Sequence, residues 1–398
     1  MKRVLMLGGS TSQVYAIKRA KEMGLYVIIC DYLSDNPGQH VADEFYLVST
    51  TDKDAVYELA KGLDLDAVIC YASDPAAPTA AYVCEKLGLP TSPYKSVMVL
   101  SNKDTFRDYL RDNGFCVPRS KSYSDYESVV ADADKFSYPV MVKPVDSSGS
   151  KGINKVLSKN EIEFAYRDAM KYSRCKRIVV EDFIEKKGYQ ISGDGFSVDG
   201  VLKFRCFGNE YYSDNGIKEY VPLGECWPSV LDKETQNKVH NELQRLITCL
   251  RMKTGAYNIE VILDKDDNVY ILELGARNGG SLIPQIIQYA TGVDMVEYTI
   301  KAALGEDCSD IKMVEAKGYW CNYMVHSKVT GRLKEVIIAD ELKDNFVEYQ
   351  TDFHEGDDVF AFENAGHALG TMVFKFDSEE EMFDKISRLT DNIVVEII

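Results

Sequence analysis

The chain has no stretch of about 18 consecutive apolar residues, so nothing in it reads as a membrane-spanning helix. It is poor in positive charge. Its 46 Lys and Arg face 63 Asp and Glu, and the net charge of -17 argues against nucleic acid or an anionic membrane as the main partner. A small anion is not excluded, because a pocket's local charge can oppose the global one. No CxxC pair occurs among the ten cysteines, and several of them (Cys30, Cys70, Cys84, Cys249) sit in apolar segments. A reduced, cytoplasmic protein with buried thiols is therefore expected, and a disulfide framework or zinc site is not. The start, MKRVLMLGGSTS, has an apolar part of only Val4 to Leu7 and no small-residue cleavage site after it, so it is read as part of the fold and not as a signal peptide. Internal repeats and low-complexity linkers are missing. The five histidines (His40, His240, His326, His354, His367) form no obvious pair, and each is read as structural. A length of 398 residues suits two or three domains.

What is present begins with alternation. VLMLGG, YVIICD, EFYLVS and DAVICYA read as short buried strands, separated by helical stretches at 13–23 and 53–61 and followed by one at 76–87. Strands alternating with helices predict a parallel sheet covered on both faces. Gly8-Gly9-Ser10 after the first strand is a candidate anion loop, and Asp31 at the end of the second invites a dinucleotide-binding reading. The full GxGxxG spacing is absent. Further helices are expected at 104–113, 161–171 and 234–252, and YQISGDGFSVDGVLKFRCFG reads as antiparallel hairpins. After Leu304-Gly305 the chain is β-rich.

The stretch IEVILDKDDNVYILELGARNGGS, 259–281, puts two glutamates into apolar strands. If 265–268 form a four-residue turn, Glu260 lies directly opposite Glu273, about 5 Å apart at Cβ. An odd-length turn would put the two on opposite faces. Paired carboxylates on a buried ribbon need protons, basic side chains or a cation, and adjacent oxygens suit Mg²⁺. A solvent-facing acidic sheet edge is the plain alternative. In PVMVKP, Lys143 ends an apolar strand and needs an anionic partner or a path to solvent. The loop Asp146-Ser147-Ser148-Gly149-Ser150-Lys151-Gly152 follows, rich in unhindered N–H donors that suit a phosphate-covering flap. It is not a P-loop, since the GxxxxGK[ST] spacing is missing.

In this order of motifs the sequence resembles the ATP-grasp superfamily, in the branch that holds biotin carboxylase, carbamoyl phosphate synthase halves, purine-pathway carboxylases and amino-acid ligases. The resemblance runs from Met1 to about Leu304. SNKDTFRDYLRDNGFCVP is similar to the entry into the ATP-binding region, which makes Lys103 its first phosphate-contacting lysine. YPVMVKPVDSSGSKGI is similar to the second lysine and flap, Lys143 with Ser147, Ser148, Gly149, Ser150 and Gly152. VVEDFIE resembles the hinge that meets adenine, through Glu181, Asp182, Phe183 and Ile184. Glu260 and Glu273 fall on the two metal ligands, and Arg277 on the arginine near the transferred phosphate. Two positions depart from the pattern: Gln190 stands where a ribose-binding carboxylate is expected, and Gly275 where a metal-binding Asn is usual.

The resemblance implies an α/β and α+β chain. A Rossmann-like parallel-sheet domain (1–100) would precede a two-lobed ATP-grasp domain (101–305, small lobe about 115–185) and a β-rich C-terminal domain (306–398). It implies ATP with one or two Mg²⁺ ions (Mn²⁺ substituting) and a carboxylate activated as an acyl phosphate for attack by an amine. Lys143 and Arg277 would be catalytic, alongside Lys103. Small-molecule carboxylate and amine substrates are the expected partners, with a homodimer as the assembly considered and neither nucleic acid nor membrane. Candidates for substrate selection are Asp74, Asn278 and the stretch 209–228 with Tyr211, Tyr212 and Trp227. The alternatives are an enzyme of the carbamoyl-phosphate or purine type using bicarbonate or formate, and a nucleotide-binding protein without turnover. A biotin-dependent carboxylase component is disfavoured, because no biotinyl Met-Lys-Met motif occurs.

Overall fold

The first, second and fourth strands are apolar on both faces and covered on both, while the third is a partly exposed edge. In the computed structural model, which describes residues 1–212 and 220–398, β1 (Arg3–Leu7), β2 (Tyr26–Asp31), β3 (Glu44–Leu47) and β4 (Ala67–Cys70) form a parallel sheet in the order β3-β2-β1-β4. Val4, Met6, Val27 and Ile29 face one core cluster, and Leu5, Leu7, Ile28 and Cys30 another. This explains why the strands read as unbroken apolar runs. The Gly8–Ser10 loop is closed against the chain. Gly9 N donates to Asp31 Oδ2 at 2.8 Å, and Gly38 packs so near Gly9 that a Cβ on Gly38 would stand 2.7 Å from the Gly9 Cα. The carboxylate that a dinucleotide reading would reserve for ribose is thus spent on the loop itself.

A four-stranded antiparallel sheet follows, of β5 (Ser120–Tyr123), β6 (Val140–Pro144), β7 (Asn154–Val156) and β8 (Ile178–Asp182), in the order β5-β8-β6-β7. The helix Ile162–Tyr172 packs on it through Ile162, Ala165 and Ala169. The largest sheet has eight strands among the described residues. β9 (Gln190–Val198), β10 (Val201–Tyr212), β11 (Pro222–Trp227), β12 (Gly255–Leu263) and β13 (Val269–Gly275) form one part. The last ninety residues contribute β14 (Tyr319–Val325), β15 (Gly331–Ile338), β16 (Phe346–Gln350), β17 (Asp358–Val359), β18 (Gly370–Phe376) and β19 (Ile393–Ile397). Of these, β14, β16 and β18 extend the large sheet, whose order is β13-β12-β9-β10-β11-β14-β18-β16, and the other three form a small sheet. The helix Lys233–Cys249, capped by the Asp232 side chain on Thr235 N, buries Val239, Leu243, Leu246 and Ile247 against it.

The β12–β13 hairpin differs from its expected register in an instructive way. Leu263 pairs with Val269, so the turn holds five residues, 264–268, and not four. An odd turn should have sent the glutamates to opposite faces. A bulge at Leu272 restores the phase: Val261 pairs with Ile271 and Glu260 with Glu273. The extra residue's carbonyl is not lost, because Arg107 Nη1 donates to it at 3.0 Å.

Candidate active site

A cleft of about 720 Å³ lies over one face of the large sheet, roofed by the β6–β7 loop and flanked by Thr11, Ser12, Ala72 and Asp74, which follow strands of the first sheet, and by residues of the C-terminal strands. That volume is within the range of small-molecule sites. Of the residues singled out in the sequence, Asp74, Lys103, Lys143, Ser147, Ser148, Gly149, Ser150, Glu181, Asp182, Phe183, Ile184, Gln190, Glu260, Glu273 and Arg277 all line it. Gly152 does not. A Cβ there would stand 2.9 Å from Tyr172 and 3.0 Å from the Ala169 Cα, so this glycine lets the loop close onto the helix Ile162–Tyr172.

At one end, positive charges are held on internal carboxylates. Lys143 Nζ bonds Glu181 Oε1, and Arg107 Nε bonds Glu181 Oε2 at 2.9 Å. Burial pushes the Glu181 carboxyl up, but Arg107 and Lys143 together overcome it and hold its pKa at about 2. The Glu181 side chain is therefore committed to two cations, which leaves the backbone of 182–184 to face the cleft. Lys103 opens the helix Lys103–Asp112, and its Nζ lies 3.0 Å from the Ser147 carbonyl and 3.2 Å from Glu273 Oε2. Burial opposes its charge, yet Glu273 and further carboxylates leave its pKa above the ordinary lysine value.

On the sheet floor Glu260 stands beside Glu273. Burial, followed by Glu273 and Glu210, pushes its pKa to about 8. Gln190 reaches it weakly, with Nε2 3.5 Å from Glu260 Oε2. The Tyr212 hydroxyl lies 2.6 Å from Glu210 Oε2 and 3.1 Å from Gln190 Oε1. Arg277 is clamped by Asp74, with Nε to Oδ1 at 2.7 Å and Nη2 to Oδ2 at 2.5 Å, and its Nη1 donates to the Asn278 carbonyl at 2.8 Å. Asp74 comes from the 3-10 turn 74–76 after β4, so this pair ties the first sheet to the end of β13. Gly275 belongs to the same feature. A Cβ at 275 would stand 3.0 Å from Asp74 Oδ1 and 3.3 Å from Arg277 Nε, so the side chain missing at this position makes room for the clamp.

Four candidates for substrate selection lie differently from their expectation. The Asp74 carboxylate is occupied by Arg277. Asn278 is fully buried, accepting from Thr299 Oγ1 at 2.7 Å and directed at Asp194, and does not line the cleft. Trp227 is also fully buried, packed over Gly208 in an apolar cluster with Leu282, Ile283 and Ile286. Tyr211 is buried, with its hydroxyl on the Asn322 carbonyl at 2.5 Å, and only Tyr212 of that group lines the cleft. Part of the stretch 209–228 lies outside the described residues.

Sequence reasoning missed Arg107, Glu210, Glu225 and Asn322, and the walls supplied by Met324, Thr351 and Leu369. Arg107 had a signal: it shares with Asp104, Phe106 and Leu110 the buried face of a strongly amphipathic helix. The C-terminal residues had none, because only strand order brings them to the cleft.

The comparisons agree with this geometry. A family model described as D-ala D-ala ligase C-terminus matches residues 115–297. A formate-dependent phosphoribosylglycinamide formyltransferase of Prochlorococcus marinus is 31% identical over 190 residues, covering 46% of this chain and 48% of the relative. The chain thus spans about half the length of the first curated relatives it matches. The enzyme of the same name from Erythrobacter litoralis is 30% identical over 293 residues, covering 69% of this chain and 70% of the relative. The crystal structure of an L-amino acid ligase from Bacillus licheniformis superposes with a TM-score of 0.86 at 22% identity, covering 100% of this chain and 99% of that one, a likeness of fold. With the paired glutamates, the two lysines and the roofing loop set around one cleft, these matches identify the chain as a member of the ATP-grasp family of ligases.

Proposed function

We propose that the chain is an ATP- and Mg²⁺-dependent carbon–nitrogen ligase that activates a carboxylate as an acyl phosphate, releasing ADP, and passes the acyl group to an amine, releasing phosphate. The supporting observation is the convergence of Lys103, Lys143 and Arg277 on the cleft that also holds Glu260 and Glu273. The donor set suits Mg²⁺: the floor offers carboxylate oxygens side by side, and the high pKa of Glu260 marks a pair short of one positive charge. Glu260 and Glu273 would hold the ion. Bound there, it would neutralise phosphate oxygens.

The protein's own residues account for the rest. Lys143 and Lys103 sit on counter-ions that a polyphosphate can replace without unfolding anything, so they are already oriented for it. Arg277 has five N–H donors, of which three are used by Asp74 and Asn278, and two are left for a reacting carboxylate or phosphoryl oxygen. Donors fixed in advance at developing charge are the strongest electrostatic aid a site can offer. The loop 147–150 covers the cleft, and its Gly149 carbonyl accepts from Ala365 N at 3.2 Å, which helps to exclude water from an acyl phosphate. We further infer divisions near residues 100 and 305, with the middle part carrying the nucleotide. The purine-type reading, with formate or bicarbonate as the carboxylate, is the second choice and rests on the named relatives. Release of ADP from MgATP decides it when amino acids, dipeptides and small carboxylates are screened with and without amines. A carboxylate-dependent signal supports the ligase, and no MgATP binding at millimolar concentration overturns it.

A further inference from the structure

Across the sheet from the paired glutamates lies a second set of carboxylates. Glu210 on β10 pairs in register with Glu225 on β11, and both line the cleft. The β11 backbone is fixed there, since Glu225 N donates to Asn322 Oδ1 at 2.6 Å while Asn322 Nδ2 donates to the Ser281 carbonyl at 2.6 Å. Glu210 has the Tyr212 hydroxyl. Glu225 has far less: among the described residues its shielded Oε2 finds no hydrogen-bond partner, and no ion pair includes it. Burial, then Glu210 and further carboxylates, push its pKa well above the ordinary range. A shielded carboxylate oxygen without a donor is costly, and the cost is relieved when a ligand brings N–H groups and positive charge. Next to it the wall turns apolar. Met324 lies two residues beyond Asn322 on β14, and Leu369 and Phe353 line the same cleft. On the other side is Arg277 with its two remaining donors.

We propose that Glu225 anchors the protonated amine of an apolar α-amino acid, whose carboxylate is turned towards Arg277 and whose side chain rests against Met324 and Leu369. The assignment rests on the ligase reading for its purpose, but its geometry does not depend on nucleotide. A primary ammonium is preferred to a second metal ion as the occupant, because it brings N–H donors as well as positive charge to a shielded carboxylate oxygen that has no donor.

Calorimetry without nucleotide separates the two readings. The probes are a panel of the apolar L-amino acids, the des-amino analogue of whichever binds best, and Mg²⁺ alone. At least one amino acid is expected to bind, its des-amino analogue far more weakly. Glu225→Gln should weaken the amino acid about 10–100-fold, the loss of one charge-assisted hydrogen bond. It should leave the analogue's affinity unaltered, and Glu225→Asp should keep more affinity than Gln. Gln is nearly isosteric and relieves repulsion with Glu210, so its melting temperature should not fall. No binding by any amino acid, equal binding of acid and des-amino analogue, or an unchanged affinity in Glu225→Gln overturns the proposal. So does Mg²⁺ binding that disappears in Glu225→Gln. A chain that binds the amino acid through Glu225 but not MgATP overturns the ligase reading alone.

Discussion

The two ends of the cleft handle charge in opposite ways. At the lysine end each cation has a carboxylate: Glu181 serves Lys143 and Arg107, and Glu273 serves Lys103. At the other end Glu210 and Glu225 face one another with no ion pair to either among the described residues; burial outweighs the downward pull of Lys186 and Arg277 on their pKa values, and Glu210 is pushed to about 7. Matched pairs hold their geometry in the free protein and would exchange partners if the proposed anionic ligand entered. Unmatched carboxylates wait for a positive charge from outside. The contrast also separates Glu260 from Glu273. Both belong to the same ribbon, but among the described residues only Glu273 has a lysine within salt-bridge distance.

The largest effect should come from removing an unmatched charge. Glu260→Gln is expected to lower turnover by roughly 10³-fold, the scale of losing a preorganised electrostatic group. The same variant should be more stable than the parent in EDTA above pH 8, because Gln removes a carboxylate that burial and Glu273 disfavour. Urea melts with EDTA, paired with ADP-release assays, check both signs; a destabilised variant would make Glu260 a structural partner.

A matched pair should behave in the reverse sense. The Glu181 carboxyl is held at about 2 in the folded protein against an ordinary 4.5, so its stabilisation is present above pH 4.5 and is lost as pH falls towards 2. That loss amounts to about 3 kcal/mol. Glu181→Gln should flatten the acid limb of the stability–pH curve by this amount and lower stability at pH 7. An unchanged acid limb would show that Arg107 and Lys143 do not depend on this carboxylate.

The smallest effect tests the clamp on Arg277. Asp74→Ala should cost about 2–3 kcal/mol, since a largely buried arginine loses its bidentate partner. Gly275→Asn should cost about 1–2 kcal/mol by crowding the same pair. The double substitution should cost less than the two single costs added, because the asparagine enters space that Asp74 has left. Additive costs, read from urea midpoints, would break the link.

Periodicity revealed most of the first sheet and of the helices, because strands covered on both faces leave unbroken apolar runs and the helix Lys233–Cys249 shows one apolar stripe. The pairing of Glu260 with Glu273 was also legible, although the turn that was meant to produce it has another length. Three things stayed hidden. Trp227 looks like an aromatic reader in sequence, yet Gly208 provides the hollow that buries it. Asp74 gave no hint of the arginine 203 positions away that it holds. The C-terminal strands reach the cleft only through sheet order, a long-range property that local pattern does not encode.

The bulge at Leu272 has an engineering consequence. Arg107 grips the extra carbonyl from a neighbouring helix, so the alignment of the two glutamates is set at the base of the ribbon and not at its tip. The residues 264–268 are then a splice point. A peptide tag or a reporter grafted between Lys265 and Asp267 lengthens the loop without changing which way Glu260 and Glu273 point. Deleting Leu272 would remove the bulge and the carbonyl that Arg107 holds, yet Glu273 would still fall opposite Glu260.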